Sequence, residues 1–176
     1  MLLAALALLA APGCAPSLHD VIGRGDIEQV RAILKQDPGR VADENRLGKQ
    51  PLQYAVMYEQ MEAMDALLAA GADVNAADET GMTALQAAVF YHWEDGIRWL
   101  FEHGADPAQR DQFGDLSTHT AAIFGRGGVL GVLVEHGVSL TEKNNAGLTP
   151  LDLARKHRVE RTAQRLEQLL AEGDAS

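Results

Sequence analysis

Gly48, Gly81, Gly114 and Gly147 stand 33 residues apart, and the residues around them return in the same order. A strict period of this length makes the chain a stack of one repeated unit, each copy burying its apolar face only against its neighbours. Three residues before each glycine comes Asn45, Asp78, Asp111 or Asn144. Asp or Asn at the first position and glycine at the fourth suit a type I β-turn, in which the side chain bonds back to the local backbone. Two residues past the glycines stand Gln50, Thr83, Leu116 and Thr149, followed by Pro51, Ala84, Ser117 and Pro150. Thr then Pro is a helix start: the hydroxyl caps free N–H groups and proline is preset for the first helical position. Leu52, Leu85, Thr118 and Leu151 follow, then Ala55, Ala88, Ala121 and Ala154, small residues where two helices must pack closely.

A second apolar set comprises Met64, Ile97 and Leu130; Ala66, Trp99 and Val132; and Leu67, Leu100, Leu133 and Leu166. Within a unit these fall at helical spacing and form one buried stripe, which makes Trp99 a core residue. Trp93 follows the first helix of its unit and is open to either environment. Gly71-Ala72-Asp73, Gly104-Ala105-Asp106 and Gly137-Val138-Ser139 close the units, glycine ending the second helix. Each unit therefore reads as turn, short helix, tight link, second helix, loop.

Asp78-Glu79-Thr80-Gly81-Met82-Thr83-Ala84-Leu85-Gln86-Ala87-Ala88, with Asp73-Val74-Asn75 before it and Leu100 and Gly104-Ala105-Asp106 after it, resembles the ankyrin repeat family. The resemblance spans about residues 18 to 170. It implies an all-α solenoid of about five stacked helix-turn-helix units with short β-turn or hairpin loops. The units are 18–44 as amino-terminal cap, 45–77, 78–110, 111–143, and 144–170 as carboxy-terminal cap, with 171–176 as a tail. The first unit lacks the turn, and its exit loop, Asp37 to Val41, is one residue longer than the others. The fourth begins weakly with Leu116-Ser117-Thr118, and Gly125, Gly127, Gly128 and Gly131 loosen its helices at up to about 1 kcal/mol each. It is expected to be the least stable unit locally. The last helix, Val159 to Leu170, carries the polar outer face a cap requires.

With 47% apolar residues, the 176-residue chain can fill the core of one domain. Residues 1–13 differ from the rest. Leu2 to Ala11 is an uninterrupted apolar run, about 15 Å as a helix and too short for a bilayer of about 30 Å, but suited to the apolar core of a secretory signal. Ala11-Pro12-Gly13-Cys14 resembles a bacterial lipoprotein box, and Cys14 is the only cysteine. The resemblance implies a signal peptide at 1–13, lipidation of Cys14, a short tether at 14–17, and a periplasm-facing place in a bacterial envelope. Ala15 after the cysteine would suit an outer membrane. Ala11 where leucine is usual, Pro12, and the lack of a Lys or Arg before the run depart from that pattern. The competing reading, a buried first helix in a cytoplasmic protein, must reconcile Pro12, Gly13 and Pro16 between the run and the first unit. A formal net charge of −10 disfavours nucleic acid and anionic headgroups as partners of the folded domain.

Two rows of residues are candidates for contact. The turn tips include Leu47, Met82, Phe113 and Leu148, large apolar residues at positions that otherwise vary freely. Two positions past the inner-helix alanines stand Met57, Phe90 and Ile123, a series that ends on Arg155 or Lys156 according to the alignment of the last unit; one further on are Tyr58, Tyr91 and Phe124. The family resemblance places these at the end of the first helix, facing a concave groove. As an exposed strip they would mark a contact; alternatively they pack on one another between units. The candidate partner-binding residues are Met57, Tyr58, Met82, Phe90, Tyr91, Phe113, Ile123 and Phe124, with Tyr58 and Tyr91 as anchors.

Enzyme chemistry finds little footing. His103 and His136 are equivalent positions about 10 Å apart, too far to share a zinc with bonds of about 2.0–2.1 Å. His19 and His119 occupy the helix-start position, where the ring fixes local hydrogen bonds. No Ser-His-Asp spacing, phosphate-cradling loop or HExxH occurs, and Gly125-Arg126-Gly127-Gly128 has neither a preceding strand nor a lysine. The expected function is a monomeric, non-catalytic protein-interaction module without cofactor or metal, binding a protein of unknown identity as scaffold, inhibitor or immunity protein. A cytosolic binding module and a metal-dependent enzyme using the histidines are the alternatives.

Overall fold

The computed structural model describes residues 16–173, so the candidate leader 1–13, Cys14 and Ala15 lie outside the described residues. Among the described residues ten α-helices follow in order: α1 (Leu18–Gly23), α2 (Ile27–Gln36), α3 (Pro51–Met57), α4 (Met61–Ala69), α5 (Ala84–Tyr91), α6 (Glu94–Glu102), α7 (Ser117–Ile123), α8 (Leu130–Glu135), α9 (Pro150–Lys156) and α10 (Glu160–Gly173). They form five hairpins stacked in chain order, with α1, α3, α5, α7 and α9 as an inner layer in which each packs on the next. The only β-pairing among the described residues is one antiparallel bridge between Ala77 and Thr83. This is the all-α solenoid that the period predicts.

Each turn is built as its residues require. The side-chain oxygen of Asn45 accepts from the N–H groups of Leu47 and Lys49, Asp78 from Thr80 and Met82, Asp111 from Phe113 and Asp115, and Asn144 from Ala146 and Leu148, all at 2.8–3.1 Å. The helices that follow share a second device. Gln53, Gln86, His119 and Asp152, each third in its helix, accept from the N–H of Gln50, Thr83, Leu116 and Thr149 at 3.0–3.1 Å. Half of a capping box therefore survives at Gln50 and Leu116, where the threonine hydroxyl is missing.

Three of these third residues, Gln53, Gln86 and His119, also join the units, and His19, second in α1, does the same for the first. The carbonyls of Lys49, Met82, Asp115 and Leu148 close their own turns by accepting the N–H of Asn45, Asp78, Asp111 and Asn144. Each also accepts a proton from the preceding unit: Lys49 from His19 Nε2 at 2.8 Å, Met82 from Gln53 Nε2, Asp115 from Gln86 Nε2 at 2.8 Å, and Leu148 from His119 Nε2 at 3.2 Å. A carbonyl only accepts, so Nε2 of both histidines carries the proton. His119 Nδ1 takes the N–H of Leu116 at 3.1 Å, which leaves this fully buried ring neutral. The fifth occupant, Asp152, has no proton to donate and serves only its own helix start.

Between the layers lies one continuous core. Ala55, Ala88, Ala121 and Ala154 are fully buried, as are Met64, Ile97 and Leu130 and the column Leu67, Leu100, Leu133 and Leu166. Each fully buried leucine contributes roughly 1.5–3 kcal/mol. Trp99 is buried as expected, and its Nε1 donates to Asp65 at 3.1 Å. Trp93 is half-buried and its indole covers Gly96, where no room is left for a Cβ.

The ends and the fourth unit carry the differences from expectation. The exit of the first unit is no extended loop but a 3-10 helix, Pro38–Ala42, capped by Asp37 through the N–H of Gly39. Helix α10 continues to Gly173, three residues past 170. In the fourth unit the outer helix shrinks to Leu130–Glu135 behind a 3-10 turn at Gly127–Val129. Gly127 and Gly128 have a packing reason as well. A Cβ on Gly127 would lie 3.3 Å from Thr162 Cα of α10, and one on Gly128 would lie 2.8 Å from His92 Nε2.

Two measurements test this account. Gly81 and Gly147 both have positive φ, 78° and 73°, but a Cβ at Gly81 would sit 2.7 Å from the backbone N of Gln112, whereas nothing lies within 4 Å at Gly147. Gly147→Ala should cost about 1–2 kcal/mol in urea unfolding and Gly81→Ala clearly more; equal losses would refute close approach as a cause. Burial holds the His119 imidazole below its ordinary value, against the pull of Asp115. A lowered folded pKa means that stability is intact above about pH 6.5 and falls as acid protonates the unfolded chain first. His119→Gln, which keeps the proton donor, should reduce the loss of Tm between about pH 7 and pH 5. His19, lowered likewise by burial, retains a residual slope. An unchanged slope in the variant would contradict the assignment.

Candidate partner-binding groove

The inner helices leave their last turn identically. The N–H groups of Gln60, Trp93, Arg126 and Val159 return to the carbonyls of Ala55, Ala88, Ala121 and Ala154 at 2.8–3.0 Å. Glu59, His92, Gly125 and Arg158 make the bend in the left-handed region, with φ between 53° and 72°. This repeated exit brings Met57-Tyr58, Phe90-Tyr91, Ile123-Phe124 and Lys156-His157 into equivalent places, so Lys156, the last residue of α9, completes the series whose end the sequence left open.

The first member of each pair is half-buried in the second, third and fourth units, while Tyr58, Tyr91 and Phe124 are 43%, 38% and 44% exposed. The two sequence readings thus divide by column: one row packs partly against its neighbours and the other stays open. Phe90 joins them, edge-on to Tyr91 at 5.0 Å and to Phe124 of the next unit at 4.6 Å. Met57, Met82, Phe90 and Tyr91 line one hollow of about 240 Å³ together with Lys49, Gln53 and Ala87. Tyr58 lies outside it, against Tyr54 at 5.0 Å, and Tyr54 meets His19 at 5.2 Å. Phe113, 60% exposed, and Ile123 line a separate hollow of about 630 Å³ with Leu148, Leu153 and Lys156. The eight candidates therefore form a row with two hollows rather than one pocket.

Sequence reasoning missed Gln53 as a lining group and Tyr54 as the ring against Tyr58, while Lys49, a turn-tip residue, lines the first hollow. Tyr54 stands one residue before the alanine column, where the other units have Ala87, Thr120 and Leu153; its size was the available signal. Its phenol is pushed up by a hydrogen bond with Tyr58 and by burial. Lys49 reaches Asp78 at 3.1 Å. Burial raises the Asp78 carboxyl, but hydrogen bonds from Thr80, Lys49 and Met82 outweigh it and hold the group below the usual carboxylate range.

His103 and His136 are occupied locally. His103 Nδ1 meets the Trp99 carbonyl at 2.7 Å and His136 Nδ1 that of Val132 at 2.9 Å, with the rings stacked on Trp99 and Phe101. Among the described residues no three His, Cys, Asp or Glu side chains converge as a metal site, and no helix is long and apolar enough to cross a membrane.

A helical-hairpin solenoid with an apolar-lipped groove defines an interaction scaffold. A family model described as ankyrin repeats (3 copies) matches residues 18–111, more than half of the chain, and the chain belongs to the ankyrin repeat family. It is similar to inversin of Homo sapiens, 32% identical over 77 residues, which cover 44% of this chain and 7% of that protein. Inversin of Mus musculus is 34% identical over 70 residues, 40% of this chain and 7% of its own. Inversin of Gallus gallus is 31% identical over 84 residues, 48% and 8% respectively. The chain spans less than a tenth of the length of these relatives. Family membership makes the repeat domain a non-catalytic protein–protein interaction module.

If the lip tyrosines are surface residues and Phe90 is a packing residue, truncation separates them. Tyr58→Ala and Tyr91→Ala should each cost under about 1 kcal/mol in urea unfolding, and Phe90→Ala about 2 kcal/mol, below the 3–5 of a fully buried phenylalanine. Tyrosine variants as unstable as the Phe90 variant would return the whole strip to the core.

Proposed function

We propose that the chain captures a protein partner on the lip formed by Met57, Tyr58, Phe90, Tyr91, Ile123 and Phe124, with Met82 and Phe113 extending the contact toward the turns. The observation that carries this reading is the row of exposed aromatics, Tyr58, Tyr91 and Phe124, recurring at one position in three successive units. Such a row is spaced at about 10 Å, offers large rigid contact area, and suits recognition better than solvation. The activity is holding, not catalysis: the module acts as a scaffold, or as an inhibitor or immunity protein that covers its partner.

The same proposal places the module in a bacterial envelope, tethered through acyl chains on Cys14 after removal of residues 1–13. The support is the apolar run Leu2 to Ala11 ending at the Ala11-Pro12-Gly13-Cys14 box. Several acyl chains at about 0.8 kcal/mol per buried CH₂ hold a domain stably, whereas one does not.

Crosslinking in intact cells followed by capture should yield a partner that Tyr58→Ala with Tyr91→Ala loses while helical content stays unchanged. Retention of that partner by the double variant would end the groove reading. Cys14→Ser should move the protein from the membrane to the soluble fraction and remove the acyl mass. An unmodified Met1 on the mature protein would overturn the envelope reading and leave a cytosolic binding module.

A further inference from the structure

The lip changes its chemistry along the stack. Its three successive positions read Met57-Tyr58-Glu59, then Phe90-Tyr91-His92, then Ile123-Phe124-Gly125, and finally Lys156-His157-Arg158. The shared left-handed exit at Glu59, His92, Gly125 and Arg158 fixes this correspondence. Ahead of these four rungs the first unit makes the same exit at Gly25, with φ 69° and the N–H of Asp26 on the Val21 carbonyl, and places the single cation Arg24 there. The rungs that follow are apolar, with one carboxylate at Glu59, and the last gathers two cations and an imidazole, in a chain with 25 acidic and 15 basic residues.

The cations at the last rung have no structural employment. Lys156, His157 and Arg158 are exposed, and their side chains make no hydrogen bond, ion pair or ring contact with the described residues. Their neighbour Arg155 is different, bonded to Glu167 at 2.7 Å. The helix dipole favours a base at the end of α9, but α3, α5 and α7 end without any base in the last turn, so the stack does not require one there. No carboxylate among the described residues forms an ion pair with them: Asp152 accepts from the N–H and hydroxyl of Thr149, and Asp115 receives Asn144 at 2.7 Å. Lys156 and His157 stand on the rim of the hollow whose apolar floor includes Phe113, Ile123, Leu148 and Leu153.

We infer that the groove binds an extended partner segment in one direction, with apolar or aromatic residues over the first three rungs and carboxylates over Lys156, His157 and Arg158. The occupant is an acidic-ended peptide segment of a protein, chosen by charge complementarity at one end and by apolar contact at the other. This rests on the groove reading above and adds its polarity and the chemistry of its ligand.

The test uses a random peptide library of about twelve residues, enough to run the roughly 30 Å between the first and last rungs at about 3.3 Å per residue. It is selected in parallel on the full chain and on its Lys156→Glu, Arg158→Glu variant. The native chain should enrich peptides with Asp or Glu at one end and Phe, Trp, Leu or Met at the other. Those peptides should bind the variant at least about tenfold more weakly, with lysine in place of the carboxylates restoring the loss. A photo-crosslinker at the acidic end should mark α9 or α10, not α3. The same peptides on both proteins, or no excess of carboxylates, would overturn the inference while leaving the groove in place. Enriched peptides that are indifferent to Tyr58→Ala with Tyr91→Ala, or a library from which nothing is enriched, would instead sink the groove reading and this inference with it.

Discussion

One doubly used carbonyl oxygen per unit holds the stack in register. The carbonyls of Lys49, Met82, Asp115 and Leu148 each close their own turn and receive a side-chain proton from the unit before. A hydrogen bond of this kind contributes only about 1 kcal/mol net, but an unmet buried donor costs more, so the third position of α3, α5 and α7 carries side chains that both accept and donate. Glutamine does so with two atoms of one amide, and histidine with two nitrogens of one ring. The apolar columns provide most of the stabilisation but are non-directional; the rungs decide how one hairpin sits on the next. Asp152 shows the rule by ending it, since a carboxylate caps its helix and offers nothing to a further unit.

What the chain disclosed in advance follows the range of the interaction. Turn glycines, capping threonines and inner alanines answer to their own few residues of backbone, and the leucine columns answer to helical spacing, so all were legible from the period. The rungs were not, because the role of Gln53 or Gln86 is set by a carbonyl 29 residues later. Histidine at 119 was read correctly as a local hydrogen-bonding residue, but its partner in the next unit lay outside the local pattern. The glycines of the fourth unit were read through helix propensity alone; α10 and His92 pressing on Gly127 and Gly128 supply the tertiary reason. At the lip, the periodic aromatics were visible, whereas Tyr54 was hidden in a column that is small or aliphatic elsewhere.

The lip is built on the hydrogen-bonded exit of each inner helix. Its residues lie within a turn closed by an N–H that returns to the carbonyl of a fully buried alanine, the same in four units. A surface carried on such exits is ordered before a partner arrives, which lowers the entropy lost on binding. Phe90 adds continuity by touching both Tyr91 and Phe124 across the unit boundary. Half-burial of Met57, Phe90 and Ile123 is thus part of the surface, bracing the exposed row in front of it.

Rungs and lip draw on different positions of the same short helix, and this separates folding from recognition. The third residue must satisfy two hydrogen bonds, while the last residue and the two after it meet no such demand. They vary from Met-Tyr-Glu to Lys-His-Arg without disturbing the exit turn. The family match, residues 18–111, ends as the fourth unit begins. Beyond it the hairpins still stack, with His119 as rung donor and Leu133 and Leu166 in the core. What changes there is the helix start at Leu116-Ser117, the shortened α8, and the cationic last rung. The units that depart furthest from the shared pattern keep its hydrogen bonds and alter its surface, as expected where a partner's chemistry rather than the stability of the stack sets the side chain.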